Sequence, residues 1–117
     1  MTAESSVSSF GSARVANGLV FTSGKVGVDE HGRRPEAFGD EVKAAIADLE
    51  DTLRAHGSQL SALLQVHCIL SDMSRFAEFD EIYRERIPAP MPPRFTHGGE
   101  LVEDFRFEIV AIASVLG

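Results

Sequence analysis

Apolar residues recur along this chain in two periods, and the points where the period changes mark its elements. Between Phe38 and His56 the apolar positions Val42, Ile46, Leu49 and Leu53 are spaced 4, 3 and 4 residues apart. That spacing places them on one face of an α-helix, and Gly57 supplies the expected C-terminal stop. A second helix is predicted after Ser71-Asp72-Met73-Ser74, which offers capping side chains. On it Phe76, Phe79, Tyr83 and Ile87 recur at 3, 4 and 4. Pro88, Pro90, Pro92 and Pro93 end it, because proline cannot continue the helical ladder.

Elsewhere the period is two. Asn17-Gly18 is a strong two-residue turn signal, and Leu19-Val20-Phe21-Thr22 follows it, which predicts a hairpin whose second strand ends at Ser23-Gly24. Lys25 to Val28 is expected to continue that strand. Leu64 to Leu70 alternates, with Val66, Cys68 and Leu70 on one face. Arg94 to Leu101 and Phe105 to Leu116 read as two more strands, joined by the acidic turn Val102-Glu103-Asp104. The polar stretch Asp29 to Pro35 is a surface loop, and the Ser-rich first nine residues read as a loose or edge segment. The order of strands, helix, strand, helix and strands predicts an α+β layer in which both helices pack on one face of a mixed sheet.

Length adds that 117 residues make one domain, 1–117, with roughly two-thirds of the unfolded surface buried. Charge narrows the partners. A formal net charge of −7 repels phosphate backbones and anionic lipid, and the chain shows no basic patch to offset it. Neither nucleic acid nor membrane is expected as a partner. Cys68 is the single cysteine, which excludes an intramolecular disulfide and a four-cysteine metal site and favours a reducing compartment. The N-terminus lacks a basic region followed by an apolar run, and no stretch of about 18 apolar residues occurs, so a cytoplasmic location is expected.

Several motifs dissolve under inspection. The spacing from Gly18 to Gly24-Lys25 is wrong for a phosphate-binding loop, and Val26 stands where Ser or Thr would hold magnesium. None of His31, His56, His67 and His97 has a partner at the spacing that places two ligands on one helical face. His97-Gly98-Gly99-Glu100 fits a solvated turn better than a metal site. His67 and Cys68 are neighbours on a strand and point to opposite faces, so Cys68 reads as a small core residue.

Two residues keep chemical interest. Arg94 follows Pro92-Pro93, whose fixed φ angles stiffen the backbone, and its planar guanidinium could take a carboxylate through two parallel hydrogen bonds. From spacing alone, a surface pairing with one of the chain's acids is the favoured reading. Glu108 lies in the last strand, where Phe105, Phe107, Ile109 and Ala111 share one face and Arg106, Glu108, Val110 and Ile112 the other. A carboxylate there must pair, for instance with Arg106, or have its pKa raised; the second would suit it to handling a water or a proton.

The blocks Asn17 to Gly24, His56-Gly57, Phe76 to Tyr83, Pro93-Arg94 and Phe107 to Ala113, taken in this order and spacing, resemble the Rid family (YjgF/YER057c/UK114). The resemblance implies a chorismate-mutase-like α+β fold and a homotrimer with clefts between subunits. It also implies hydrolysis of reactive 2-imino or enamine acids to 2-oxo acids and ammonia, as in RidA-like deaminases, with no metal or organic cofactor. By position, Arg94 matches the arginine that binds the substrate carboxylate, Glu108 the glutamate that positions water, and Ser23-Gly24 the turn lining the cleft. Other cleft positions depart from the family pattern. Phe10 stands for a tyrosine, Phe95 for a small hydroxyl residue, Thr96 where a Cys or other small residue is frequent, Lys25 for a glutamine and Asp80 for an asparagine. These departures put the substrate itself in question. The same resemblance leaves open a pathway-specific enzyme acting on an unusual intermediate, and a non-catalytic trimeric module that binds a small ligand.

Overall fold

The computed structural model describes residues 9–117. The Ser-rich opening therefore lies almost wholly outside the described residues. The chain then runs β1 (Ala13–Ala16), β2 (Leu19–Thr22), β3 (Lys25–Val26), α1 (Phe38–Ala55), β4 (Leu63–Leu70), α2 (Phe76–Arg86), β5 (Arg94–Gly98) and β6 (Phe107–Ser114), with short 3-10 turns before β4 and α2.

Local chemistry explains the boundaries. Asn17 and Gly18 both take positive φ, 52° and 76°, as a tight hairpin turn of this hand requires, and they pair Ala16 with Leu19. Gly57 follows α1 at φ +81°, the left-handed stop its position predicts. Asp72 Oδ1 accepts the backbone N–H of Ser74 and so starts the 3-10 turn that leads into α2.

The sheet order is β1-β2-β6-β4-β5, with β3 also paired to β6. All pairs are antiparallel except β4 with β5, whose connection through α2 is the crossover a parallel pair needs. Phe107, Ile109, Ala111 and Ala113 of β6 and Val66, Cys68 and Leu70 of β4 point to the side carrying both helices. There they meet Val42, Ile46, Leu49 and Leu53 of α1 and Phe79 and Tyr83 of α2 in one core. The expected mixed sheet with two helices on one face is what forms.

Three details differ from expectation. β5 and β6 stop short of Leu101 and Leu116, and β4 lies between them, so the acidic turn at 102–104 joins strands that do not pair. The second hairpin strand does not run on through Ser23-Gly24. From Phe21 to Lys25 the chain advances four residues while its partner retreats three, from Ile112 to Ile109. That extra residue is a bulge, and Thr22 Oγ1 fills its gap by accepting the N–H of Ala111 at 3.1 Å. Arg106 precedes β6 and escapes its alternation. It turns to the helix side, where Nε donates to Oε1 of fully buried Glu41 at 2.7 Å and the backbone N–H donates to Oε2 at 2.7 Å. Committed to Glu41, it is not the partner of Glu108.

Candidate functional site

Arg94 opens β5 opposite Val66, on the helix side of the sheet. Its guanidinium lies over the Tyr83 ring at 4.5 Å and near those of Phe79 and Phe76, and Nη1 donates to Asp80 Oδ1 at 2.9 Å. A shelf of aromatic rings and one carboxylate thus hold it in place. No other Arg94 N–H has a protein partner among the described residues, and the group lines a cavity of about 290 Å³ with Asp80, Tyr83, Arg84 and Met91. Tyr83 is only 3% exposed, burial pushes its phenol up to about 12, and its hydroxyl has no partner. Thr96, two residues along on the same face, likewise keeps a buried hydroxyl without a partner. Cys68, its neighbour on the ladder, is buried, and its thiol is pushed up to about 12 by loss of solvent, with Arg94 pulling weakly the other way. Such a thiol is no nucleophile.

Glu108 sits on the opposite face. It alternates with buried Phe107 and Ile109, pairs with Ile69 and Val26, and burial alone raises its carboxyl above the ordinary value of 4.5. It leans over the Ser23-Gly24 turn so closely that a Cβ built on Gly24 would collide with its Oε2. Gly24 is there to leave room for this carboxylate. Ser23 is tied back to Ser12, whose carbonyl accepts its N–H at 2.9 Å and its hydroxyl at 3.2 Å. Lys25 is the next residue but faces the other way, paired with Ile109 and 6% exposed.

The remaining expected positions divide between the faces. Phe95 is 52% exposed on the face away from the helices and stacks on His67 at 4.1 Å, with His97 4.8 Å from the same imidazole. With Phe21, Gln65, Val110 and Ile112 this pair borders a shallow cavity of about 270 Å³. Phe10 stands 66% exposed at the start of the described residues. Within one chain the sheet therefore separates Arg94 and Thr96 from Glu108, Gly24 and Phe95. Among the described residues no cluster of three or more His, Cys, Asp and Glu side chains could hold a metal ion, and no helix is long and apolar enough to cross a membrane.

A family model described as Endoribonuclease L-PSP matches residues 2–115. The chain belongs to the Rid (YjgF) family. Among curated Rid relatives, protein mmf2, mitochondrial, of Schizosaccharomyces pombe is 36% identical over 81 residues, covering 69% of this chain and 64% of its own length. Reactive Intermediate Deaminase A, chloroplastic, of Arabidopsis thaliana is 32% identical over 103 residues, covering 86% of this chain and 55% of its own. The chain thus spans between about half and two-thirds of these two relatives. A solved member of the YjgF protein family from Neisseria meningitidis matches with a TM-score of 0.85 at 25% identity, covering 92% of this chain and 88% of that one.

Sequence reasoning singled out Arg94 and Glu108 but not what surrounds the arginine. Tyr83 read as core, and Arg84 and Met91 went unremarked. A signal was present: Asp80, Tyr83 and Arg84 are three and four residues apart, hence on one helical face, and the proline-rich connection returns the chain to that face at Arg94.

Proposed function

We propose that this chain is an imine and enamine deaminase, hydrolysing 2-imino acids to 2-oxo acids and ammonia in a cleft shared by two copies of a homotrimer. The observation that carries this reading is Arg94: clamped by Asp80 and three aromatic rings, it still presents unpartnered guanidinium N–H groups to a cavity. A positioned guanidinium binds a carboxylate through parallel hydrogen bonds and holds the adjacent C=N carbon for attack. Glu108 orients water at that carbon and takes its proton. Water adds to form a carbinolamine, the C–N bond then breaks, ammonia leaves with the proton, and the carbonyl remains.

Because Arg94 and Glu108 occupy opposite faces of one sheet, both can reach one substrate only if a second copy supplies one of them. Gly24 and Phe95 would then line the Glu108 wall, Thr96 the Arg94 wall, with Ser23 shaping the turn, Phe10 closing the rim and Lys25 acting from behind as a positive charge. The name of the Arabidopsis relative, Reactive Intermediate Deaminase A, supports the chemistry. The net charge of −7 supports a small-molecule substrate over RNA, whatever the wording of the family model's description. The single buried thiol fits a reducing compartment such as the cytoplasm.

The test is release of 2-oxo acid from imines generated in situ by an amino-acid oxidase. Arg94→Ala and Glu108→Gln should each lower kcat/KM by about 100-fold or more, the scale of losing one positioned polar group. The rate should fall on acidification through a pKa above 4.5, because Glu108 must be ionised to accept a proton. Full activity in both variants would sink the reading.

A further inference from the structure

The charges beside Arg94 are arranged in a way a plain carboxylate site does not need. Arg94 Nη1 donates to Asp80 Oδ1 at 2.9 Å, and Asp80 Oδ2 lies 3.4 Å from Arg84 Nε, so one carboxylate stands between two guanidiniums. The three line one cavity with a combined single positive charge. The two ion pairs are unequal. Arg94 is largely buried and rests on aromatic rings. Arg84 is 64% exposed and holds Asp80 only as an i,i+4 surface pair, an arrangement worth little in water. Asp80 Oδ2 is therefore the exchangeable acceptor in the cavity.

A ligand whose carboxylate docks on Arg94 comes within reach of Asp80. With no positive group, that ligand sets its own anion against the aspartate. With a cationic N–H beside its carboxylate, it replaces Arg84 on Oδ2 and leaves Arg84 to solvent. Tyr83, whose buried hydroxyl has no partner, lines the same cavity and can serve either end of such a ligand.

We propose that Asp80 makes this cleft selective for zwitterions, ligands with an ammonium or iminium nitrogen next to the carboxylate, over simple 2-oxo acids. The inference rests on the reading of Arg94 as a carboxylate site and gives it a direction. A protonated 2-imino acid is a zwitterion and its 2-oxo product is not, so one residue favours substrate and disfavours product.

Chemical-shift titration of the full chain with L-alanine, pyruvate and malonate tests this. Wild type should bind L-alanine at least tenfold tighter than pyruvate, and Asp80→Asn, which keeps the shape and removes the charge, should abolish or reverse that ratio. Asp80→Ser should do the same, which guards against an effect peculiar to one variant. Equal binding of alanine and pyruvate by wild type, a ratio unmoved by both variants, or preference for malonate bridging Arg94 and Arg84 would each overturn the inference. Imine hydrolysis with an unmoved ratio would overturn it and leave the deaminase reading standing. A shifted ratio without hydrolysis would do the reverse.

Discussion

The two faces of the sheet are built from the same strands to opposite standards. On the helix side, β4 and β6 contribute Val66, Cys68, Leu70, Phe107 and Ile109, each 0% exposed, and even the charge there, Glu41, is fully buried and paired with Arg106. On the other side, the alternate residues of those strands and their neighbours, among them Val110, Ile112, His67, Phe21 and Phe95, are also apolar or aromatic, yet no element among the described residues covers them. A sheet that alternates apolar with polar expects water on its second face. One that is apolar on both faces expects a second layer, and a second copy of the chain, as in the proposed trimer, would supply it.

The difference predicts that truncations will cost unequally. Phe79→Ala on the covered face should lower unfolding free energy by about 3–5 kcal/mol, since the ring contacts Phe107 and Tyr83 in a packed core. Phe95→Ala should cost the isolated chain about 0.5 kcal/mol, since half the ring is already in solvent. Urea denaturation at dilutions where the chain is monomeric compares them, and equal losses would refute the distinction between the faces.

The next effect is on association. Ile112→Lys places a charge in the middle of the open face, where the residue borders the Phe21 and Phe95 cavity, while the core residues behind it stay in place. We expect native-like circular dichroism and about a threefold fall in mass by light scattering, from the proposed trimer closed through this face to a monomer. The proposed deaminase activity should vanish with it, because Arg94 and Glu108 then lie on opposite sides of a single sheet. A variant that stays associated would move the interface elsewhere.

How far the sequence reaches follows the same division. Period 3.6 and period 2 patterns located α1, α2, β4 and β6, because burial on the helix side demands strict alternation and leaves it written in Val42 to Leu53 and in Phe107 to Ala113. Ser23-Gly24 was readable as a strand end, but as a cleft-lining turn only through the family resemblance. Its physical reason, room for Glu108, depends on a contact between residues far apart in sequence. The bulge at Thr22 and the strand order were not readable, since both depend on which strand pairs with β6 and nothing local encodes that choice. Arg106 misled because alternation was extended two residues ahead of the strand's start at Phe107, to where Glu41 claims the side chain. Asp80 was visible as a departure, but its grip on Arg94 joins a helix to a strand across the proline-rich connection.

The smallest effect is a dependence on pH that reports whether the open face is covered. His67 lies on that face with Nε2 buried and unpartnered, and burial, followed by the nearby charge of His97, lowers its pKa below 6.5. As pH falls, the unfolded chain takes up this proton before the folded one does. The stability is therefore complete above 6.5 and declines as pH drops from there towards the folded value. Glu108, raised by burial, works the other way: its contribution is present at low pH and lost as pH rises through its folded value. Comparing wild type with His67→Gln isolates the histidine. The urea midpoint should fall between about pH 7.5 and about pH 5.5 in wild type and fall less in the variant. A second copy seated on the open face would strip further solvent from the imidazole and deepen the decline, so the same comparison in the Ile112→Lys background should show a smaller histidine effect. If both backgrounds respond equally, no partner covers His67, and the second layer that the apolar face calls for must be placed away from it.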